Sequence, residues 1–189
     1  MRVISGKYKG RNIISPSHGV VRPTTDLVKG SVFSILASKA GVDGARCLDL
    51  FCGTGGMGIE ALSRGAASCV FVDRDTTNAK VNLDRIGIGA RTVCMEFRRA
   101  LRLLRGERYD IIFCDPPYGK GFAEEAAELV LRYGMLDKGG IMAVEHSSND
   151  LINFPQDCII DSRVFGVTAV DFVMRGDDES DNSDICGNV

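Results

Sequence analysis

Residues 45–58, ARCLDLFCGTGGMG, join a short apolar run to a turn that contains four glycines. Gly53, Gly55 and Gly58 satisfy the spacing G-x-G-x-x-G, which in nucleotide-binding folds follows a strand and opens a helix. Glycine permits a tight turn there and lets a ligand approach the backbone closely. The stretch therefore predicts a strand, a ligand-binding loop and a helix in immediate succession.

Short apolar runs alternate with amphipathic stretches after this loop. The amphipathic stretches predict helices at residues 56–64, 76–86, 98–104 and 122–133. The apolar runs, such as SCVFVD and YDIIFC, are nearly continuous, which is typical of parallel strands covered by helices on both faces. This alternation predicts a doubly wound α/β domain. Near the end, CIIDSRVF and TAVDFVMR lie close together around Gly166, which predicts an antiparallel C-terminal hairpin.

The two ends of the chain differ from its centre. Residues 1–25 are interrupted by Gly, Ser and Pro and predict short extended pieces and turns. Asp26 can cap a helix that runs to about Lys39. The 189 residues suit one main domain, placed at 26–175, with a basic N-terminal extension at 1–25. The acidic tail at 176–189 is poor in apolar residues, so we expect it to be disordered.

Charge is unevenly distributed, although the net charge is only −2. Residues 1–30 carry six lysine and arginine side chains against one aspartate, whereas residues 176–189 carry five acidic side chains and no basic one. A basic segment on a nearly neutral body suits a polyanionic partner such as a nucleic acid. A solvated arm that binds nothing has the same charge pattern, so charge alone leaves both interpretations open.

Composition and cysteine usage indicate a cytoplasmic protein. The seven cysteines include no C-x-x-C pair and lie mostly in apolar runs, which predicts buried free thiols and no metal site. No apolar run reaches the roughly 18 residues of a membrane span, and the first residues lack the apolar core of a signal peptide. We expect no membrane association, and we expect a monomer.

Two acidic residues flank the glycine-rich turn. Asp49 lies four residues before Gly53, and Asp73 lies 20 residues after it, at the end of the next strand. A carboxylate at Asp49 would repel a pyrophosphate but attract a cationic amino-acid head group, which favours S-adenosylmethionine over a dinucleotide. Asp73 can accept hydrogen bonds from ribose hydroxyls of either ligand. We assign Asp49, Phe51, Gly53, Gly55 and Asp73 to this cofactor site.

A further cofactor contact is predicted after the third strand. Glu96 is placed to accept a hydrogen bond from an adenine amino group, with Phe97 packing on the ring. The alternative is a surface glutamate before a helix, which the sequence allows equally. We include both residues among the cofactor candidates.

Asp115, Pro116, Pro117 and Tyr118 directly follow YDIIFC and form the most specific motif in the chain. Two successive prolines fix φ and remove two N–H donors, which leaves the carbonyl oxygens here unopposed. The Asp115 carboxylate and the Pro116 carbonyl can accept the hydrogens of a base amino group, and a flipped base stacking on Tyr118 gains about 1–3 kcal/mol. A rigid turn is the alternative. The shared sheet edge favours a substrate site, and we assign all four residues to catalysis.

These motifs together resemble a known family. D-x-F-C-G-x-G followed by D-P-P-Y is similar to class I methyltransferases that act on exocyclic amines. ISGKYKGR, RPTTDLVK and LDLFCGTGGMGIEALSRGA resemble the RsmD family of bacterial 16S ribosomal RNA guanine-N2 methyltransferases, and the resemblance extends from about Arg2 to Met174. It implies a Rossmann-like, mostly parallel seven-stranded sheet whose last strand inserts antiparallel. It also implies S-adenosylmethionine as the cofactor, and ribosomal RNA or a small-subunit assembly intermediate as the partner.

The resemblance makes residues 22–25, RPTT, a loop over the active site that touches RNA. Together with nearby basic residues, the RNA candidates are Lys7, Arg11, Arg22, Thr24, Thr25 and Lys29. The chain departs from the family pattern in three places. The family usually has Asp-Ala at Glu96-Phe97, arginine at Leu27 and glutamate at Gly30.

The sequence therefore predicts methylation of the exocyclic N2 amine of a guanine in small-subunit ribosomal RNA. A DNA amino-methyltransferase acting on adenine N6 or cytosine N4 uses the same motifs. Sequence-specific versions normally carry a separate recognition region, for which 189 residues leave no room. A dinucleotide-dependent oxidoreductase or a non-catalytic RNA-binding module would have no use for the motif at residues 115–118.

Overall fold

The computed structural model describes residues 1–14, 26–150, 152–154 and 158–174. The strands within these residues are β1 (Arg46–Leu50), β2 (Ser68–Asp73), β3 (Arg91–Cys94), β4 (Tyr109–Cys114), β5 (Leu136–Ser147), β6 (Ile159–Phe165) and β7 (Thr168–Met174). The helices are α1 (Asp26–Lys39), α2 (Gly56–Ser63), α3 (Thr77–Ile86), α4 (Phe97–Leu103) and α5 (Phe122–Arg132). The RNA candidates Arg22, Thr24 and Thr25 and the acidic tail lie outside the described residues.

The seven strands form one sheet in the order β3-β2-β1-β4-β5-β7-β6. Strands β1 to β5 are parallel, and β7 runs antiparallel to both β5 and β6. The predicted doubly wound, mostly parallel seven-stranded sheet with a C-terminal hairpin is confirmed. The order of the strands reverses between β1 and β4. Open α/β sheets bind ligands in the crevice beyond the carboxyl ends of strands at such a point.

Strands β1, β2 and β4 are buried along most of their length because helices cover both faces of the sheet. In β1, Cys47 packs in the core shared with α1, α2 and α3, whereas Leu48 and Leu50 pack in the core shared with α4 and α5. This follows from the alternation of side chains along a strand. The five helices begin and end within one residue of their predicted bounds.

Residues 1–14 pack against α2 and belong to the same folded unit as the sheet. Val3 and Ile13 are buried in the core formed with α1, α2 and α3. The end of α2 holds the segment, because the backbone N–H of Lys7 donates to the Ser63 carbonyl at 2.7 Å and that of Tyr8 donates to Ser63 Oγ at 2.9 Å. The first part of the predicted N-terminal extension is therefore not a free arm.

A buried ion pair joins this segment to α1 and α2. Glu60 is fully buried, accepts hydrogen bonds from the backbone N–H of Ile4 (2.7 Å) and Ser5 (3.0 Å), and lies 3.3 Å from Lys29 Nζ. Lys29 is also fully buried, and its ammonium donates to the Arg2 carbonyl at 2.6 Å. The prediction that Lys29 contacts RNA is therefore wrong, because Glu60 and the Arg2 carbonyl enclose its charge.

Glu60→Gln is expected to lower the free energy of unfolding by about 3–5 kcal/mol, because the buried ammonium group of Lys29 would lose its charged partner. The matched control is Glu128→Gln, which removes a carboxylate from the exposed Glu128–Arg132 pair and should leave stability nearly unchanged. Urea unfolding followed by circular dichroism measures both variants. Equal losses in the two would contradict the proposed importance of the buried pair.

Candidate active site

A cavity of about 650 Å³ opens beyond the carboxyl ends of β1, β2, β4 and β5. Its volume is typical of a site for a cofactor or a small organic ligand. The glycine-rich loop after β1 lines one part of it, and residues 115–118 after β4 line another. The two motifs that the sequence singled out therefore share one cavity.

Four carboxylate side chains approach this cavity from neighbouring strands. Asp49 and Asp73 lie at the ends of β1 and β2, Asp115 directly follows β4, and Glu145 lies near the end of β5. All four line the cavity. The residue two positions before each of them packs against α1, α2 and α3, so side-chain alternation places the four acids on that same face of the sheet. The edge of the sheet thus collects acceptors of hydrogen bonds.

The glycine-rich loop is held to two of these acids by backbone hydrogen bonds. The N–H of Gly58 donates to Asp49 Oδ2 at 2.9 Å, and the N–H of Gly53 donates to Asp73 Oδ2 at 2.9 Å. A Cβ atom at Gly58 would lie 2.4 Å from the ring of Phe71, so only glycine lets α2 pack this closely on β2. The spacing of the glycines therefore serves both helix packing and the placement of the carboxylates.

Asp49 is almost completely enclosed, with 3% of its surface exposed. Burial raises the pKa of the Asp49 carboxyl group to about 7, and the neighbouring charge of Asp73 adds to the rise against the lowering effect of the Gly58 N–H. An opposite charge within a few ångströms favours the ionised form of a buried carboxyl group. Asp49 is the residue predicted to receive a cationic head group. A cation bound there would stabilise the ionised form of its carboxyl group.

Three phenylalanine rings form an apolar wall of the cavity. The ring centroids of Phe51, Phe97 and Phe122 are 5.0–6.4 Å apart. Phe51 has φ 59°, which is uncommon for a residue other than glycine and occurs often at functional sites. The guanidinium of Arg98 lies 4.5 Å from the centre of the Phe97 ring and 5.1 Å from that of Phe122. This wall suits a flat aromatic ligand such as adenine.

Two residues predicted to bind the cofactor, Glu96 and Gly55, are not among those that line the cavity. The Glu96 side chain caps α4 by accepting from the Arg98 backbone N–H at 3.0 Å, and its second oxygen pairs with the Arg98 guanidinium at 2.7 Å. Glu96 thus serves the start of α4 and does not line the cavity. Gly55 precedes α2 with φ 79° and faces Phe71 and Ala79. Phe51, Gly53 and Phe97 do line the cavity, as the sequence indicated.

The turn at residues 115–118 forms the opposite side of the cavity, and all four of its residues line it. The Tyr118 hydroxyl donates to Glu145 Oε1 at 2.8 Å and lies 3.1 Å from Thr168 Oγ1. Burial raises the pKa of Tyr118, and its hydrogen bond to Glu145 contributes to that rise, so the hydroxyl stays protonated. The ring predicted to stack on a base is therefore fixed in place by β5 and β7.

Several lining residues were not found from the sequence. Glu145 and Phe122 line the cavity from β5 and from the start of α5, and Met1, Lys120 and Ser147 also contribute. The sequence feature that points to Glu145 is its charge within the apolar run GIMAVEH, because glutamate is rarely buried unless it is paired.

The basic residues Lys7 and Arg11 are exposed, and neither lines the cavity. Lys7 lies near Ser63 at the last turn of α2, whereas Gly56, the first residue of that helix, lines the cavity. The two ends of α2 are roughly 10 Å apart at the rise of an α-helix. Contact between these residues and RNA stays a prediction.

His146 does not line this cavity. His146 points to the other face of β5 from Glu145, and its Nε2 lies 3.0 Å from Asp171 Oδ2. Burial lowers the pKa of His146, but the hydrogen bonds to Asp171 and to the Ser147 carbonyl outweigh this and raise it.

Within the described ranges, no group of three or more His, Cys, Asp or Glu side chains is arranged to hold a metal ion. In the same part of the chain, no helix is long and apolar enough to cross a membrane.

Residues 1–174 match the protein family described as Conserved hypothetical protein 95. Ribosomal RNA small subunit methyltransferase D of Escherichia coli is 34% identical over 148 residues, which cover 77% of this chain and 74% of that protein. Bacillus subtilis YlbH, whose name gives it provisionally as an rRNA methyltransferase, is 41% identical over 153 residues, 77% of this chain and 82% of that one. The chain belongs to the RsmD family of methyltransferases.

The RsmD fold is shared with solved structures along most of the chain. A Thermus thermophilus hypothetical protein superimposes with a TM-score of 0.80 at 28% identity, over 92% of this chain and 98% of that one. Thermus thermophilus RsmC, a 16S rRNA methyltransferase with this fold, was solved with S-adenosylmethionine and guanosine bound; it is 22% identical with a TM-score of 0.62, over 85% of this chain and 45% of that one. The cavity of this RsmD-family chain fits S-adenosylmethionine, because it offers a buried carboxylate for a cation, a second carboxylate on the neighbouring strand and an apolar aromatic wall.

Asp49→Asn is expected to weaken binding of S-adenosylhomocysteine about 10- to 100-fold, because a charged hydrogen-bond partner of the ammonium group is lost. The wild-type affinity should fall as the pH drops below about 7, since protonation removes the Asp49 charge, and the variant should lose this dependence. Isothermal titration calorimetry across a pH series measures both effects. A wild-type affinity independent of pH would contradict the role of Asp49.

Glu96→Ala is expected to lower the free energy of unfolding by about 1 kcal/mol through loss of the α4 cap. Its affinity for S-adenosylhomocysteine should stay within about twofold of the wild-type value, because the side chain lies outside the cavity, whereas Phe97→Ala should weaken binding by about tenfold or more. Calorimetric titration and thermal unfolding of both variants test this. A large loss of affinity in Glu96→Ala would return that residue to the adenine site.

Proposed function

We propose that this RsmD-family chain transfers a methyl group from S-adenosylmethionine to the exocyclic N2 amine of a guanine in small-subunit ribosomal RNA. The observation that carries the proposal is that residues 115–118, with their acceptors for a base amine, share one cavity with Asp49 and Asp73. The RNA substrate is supported by the 34% identical relative named ribosomal RNA small subunit methyltransferase D.

The cofactor half of the cavity, formed by the glycine-rich loop and the ends of β1 and β2, offers a separate group of residues for each part of S-adenosylmethionine. Asp49 would receive the ammonium group, Asp73 the ribose hydroxyls, and the wall of Phe51 and Phe97 the adenine, next to the backbone of Gly53. The bound cofactor supplies an electrophilic methyl group carried on a sulfonium.

The substrate half has to activate a weak nucleophile. The lone pair of guanine N2 is delocalised into the ring, so the amine must be oriented and its developing positive charge stabilised. The Asp115 carboxylate and the Pro116 carbonyl would accept the two N2 hydrogens and so direct the lone pair toward the cofactor half. Acceptors that are already in place stabilise the charge without reorganisation, and orientation supplies much of the remaining acceleration.

The base has to leave its stack to reach this cavity, which costs a few kcal/mol. The Tyr118 ring, held through its hydroxyl by Glu145 and Thr168, offers the stacking surface that offsets this cost. The exposed side chains of Lys7 and Arg11 would bind the RNA backbone outside the cavity. Such phosphate contacts position a substrate without reading its sequence.

The test is transfer of labelled methyl from S-adenosylmethionine to unmodified small-subunit RNA, both free and in subunits, followed by nucleoside analysis. We expect label in N2-methylguanosine. Asp115→Ala should lower the rate by about 100-fold or more while retaining affinity for S-adenosylhomocysteine, as expected for loss of a preorganised acceptor.

Asp110→Ala is the matched control, because Asp110 lies near the start of the same strand β4 and pairs with Arg46 away from the cavity. It should retain the wild-type rate. Label recovered in DNA as N6-methyladenine or N4-methylcytosine, with none in RNA, would contradict the substrate but not the cofactor.

A further inference from the structure

Two carboxylates lie side by side at the substrate half of the cavity. Cys114 of β4 and Val144 of β5 are partners in the parallel register, so the residues that follow them, Asp115 and Glu145, are neighbours on adjacent strands. Adjacent strands are about 5 Å apart. Both side chains line the cavity. A base amine held by Asp115 would therefore present its adjoining ring edge to Glu145.

The direction of Glu145 is set by its strand. Glu145 and Ser147 line the cavity, whereas His146 between them faces the opposite side of the sheet and pairs with Asp171. Glu145 Oε1 accepts a hydrogen bond from the Tyr118 hydroxyl at 2.8 Å. A carboxylate offers about four lone-pair positions, and the Tyr118 hydroxyl takes one of them.

Guanine differs from adenine and cytosine at the ring nitrogen next to the exocyclic amine. Guanine has three hydrogens on this edge, two on N2 and one on N1. Adenine and cytosine have two hydrogens on the amine, and the neighbouring ring nitrogen carries a lone pair instead of a hydrogen. Asp115 and the Pro116 carbonyl are sufficient acceptors for the amine of any of the three bases. A third acceptor beside them, such as Glu145, matches guanine alone.

We infer that Glu145 is the residue that selects guanine, by accepting a hydrogen bond from guanine N1–H while Asp115 and Pro116 hold the N2 amine. This inference rests on the proposed function. Adenine or cytosine in the same position would set a ring lone pair against a carboxylate, which leaves two acceptors facing each other. Sites that hydrogen-bond a substrate group discriminate strongly against analogues that lack it, and repulsion of the wrong ligand adds to specificity.

A different role for Glu145 would be to position Tyr118 through the hydroxyl bond alone. The two roles predict different results when the target base is changed. A positioning role affects every base equally, because Tyr118 stacks on a ring whatever its edge carries. A role in reading N1–H affects only bases that differ at N1.

The test uses 2-aminopurine, which carries the same N2 amine as guanine but has a lone pair at N1. Small-subunit RNA is assembled by splinted ligation with guanine or 2-aminopurine at the methylated position, and presented in whichever form, free or in subunits, accepts methyl. The measured quantity is the ratio of kcat/KM for the two substrates. This ratio compares two substrates of one protein preparation, so it does not depend on the fraction of a variant that is folded.

The wild-type chain should prefer guanine by about 100-fold or more. Glu145→Gln should reduce this preference at least about tenfold, because the amide can donate to N1 of 2-aminopurine and can still accept from Tyr118. The control Tyr118→Phe should slow both reactions and leave the ratio within about threefold, since stacking does not sense N1.

An unchanged ratio in Glu145→Gln, with N2-methylguanosine still formed by the wild-type chain, would overturn the assignment of Glu145 and leave the proposed function standing. Absence of N2-methylguanosine from the wild-type reaction would overturn the proposed function, and the role of Glu145 with it.

Discussion

The pairing of β1 with β4, which sets Leu50 opposite Cys114, is the constraint on which the active site depends. It brings together two segments that are far apart in the chain, and it lies where the order of the strands reverses. The loops that follow the two strands diverge at this point, which leaves room for a ligand between them. Because the strands are parallel, both loops emerge at the same edge, and the glycine-rich loop faces the turn at residues 115–118.

The same geometry concentrates negative charge. Asp49, Asp73, Asp115 and Glu145 all line one cavity, and Asp49 is almost fully buried there. Burial makes an ionised carboxylate costly, as the raised pKa of Asp49 shows. A cationic cofactor and a base edge rich in hydrogen-bond donors are the ligands that offset this cost. The proposed ligands therefore offset the electrostatic cost of these carboxylates. Titratable groups with shifted pKa values are common at functional sites.

Patterns along the chain predicted the fold and both motifs, because apolar alternation and glycine spacing are local properties. Burial and side-chain direction depend on which elements pair. Lys29 has the charge of an RNA contact, but its helix packs against α2 and buries it against Glu60. The sequence predicts Glu96 at the adenine, whereas its side chain caps α4 and is not among the residues that line the cavity. Glu145 joins the site only because β5 lies beside β4, a register that no local pattern encodes.

In the proposed function, one cavity holds the cofactor between Asp49 and the phenylalanine wall, with the base beside residues 115–118. A crystal structure with S-adenosylhomocysteine and guanosine tests it most directly. We expect the amino-acid head group at Asp49, the adenine against Phe97, and the guanine edge facing Asp115 and Glu145, with its N2 toward the cofactor sulfur. Density for the nucleoside outside this cavity, or for the cofactor with its head group away from Asp49, would contradict it.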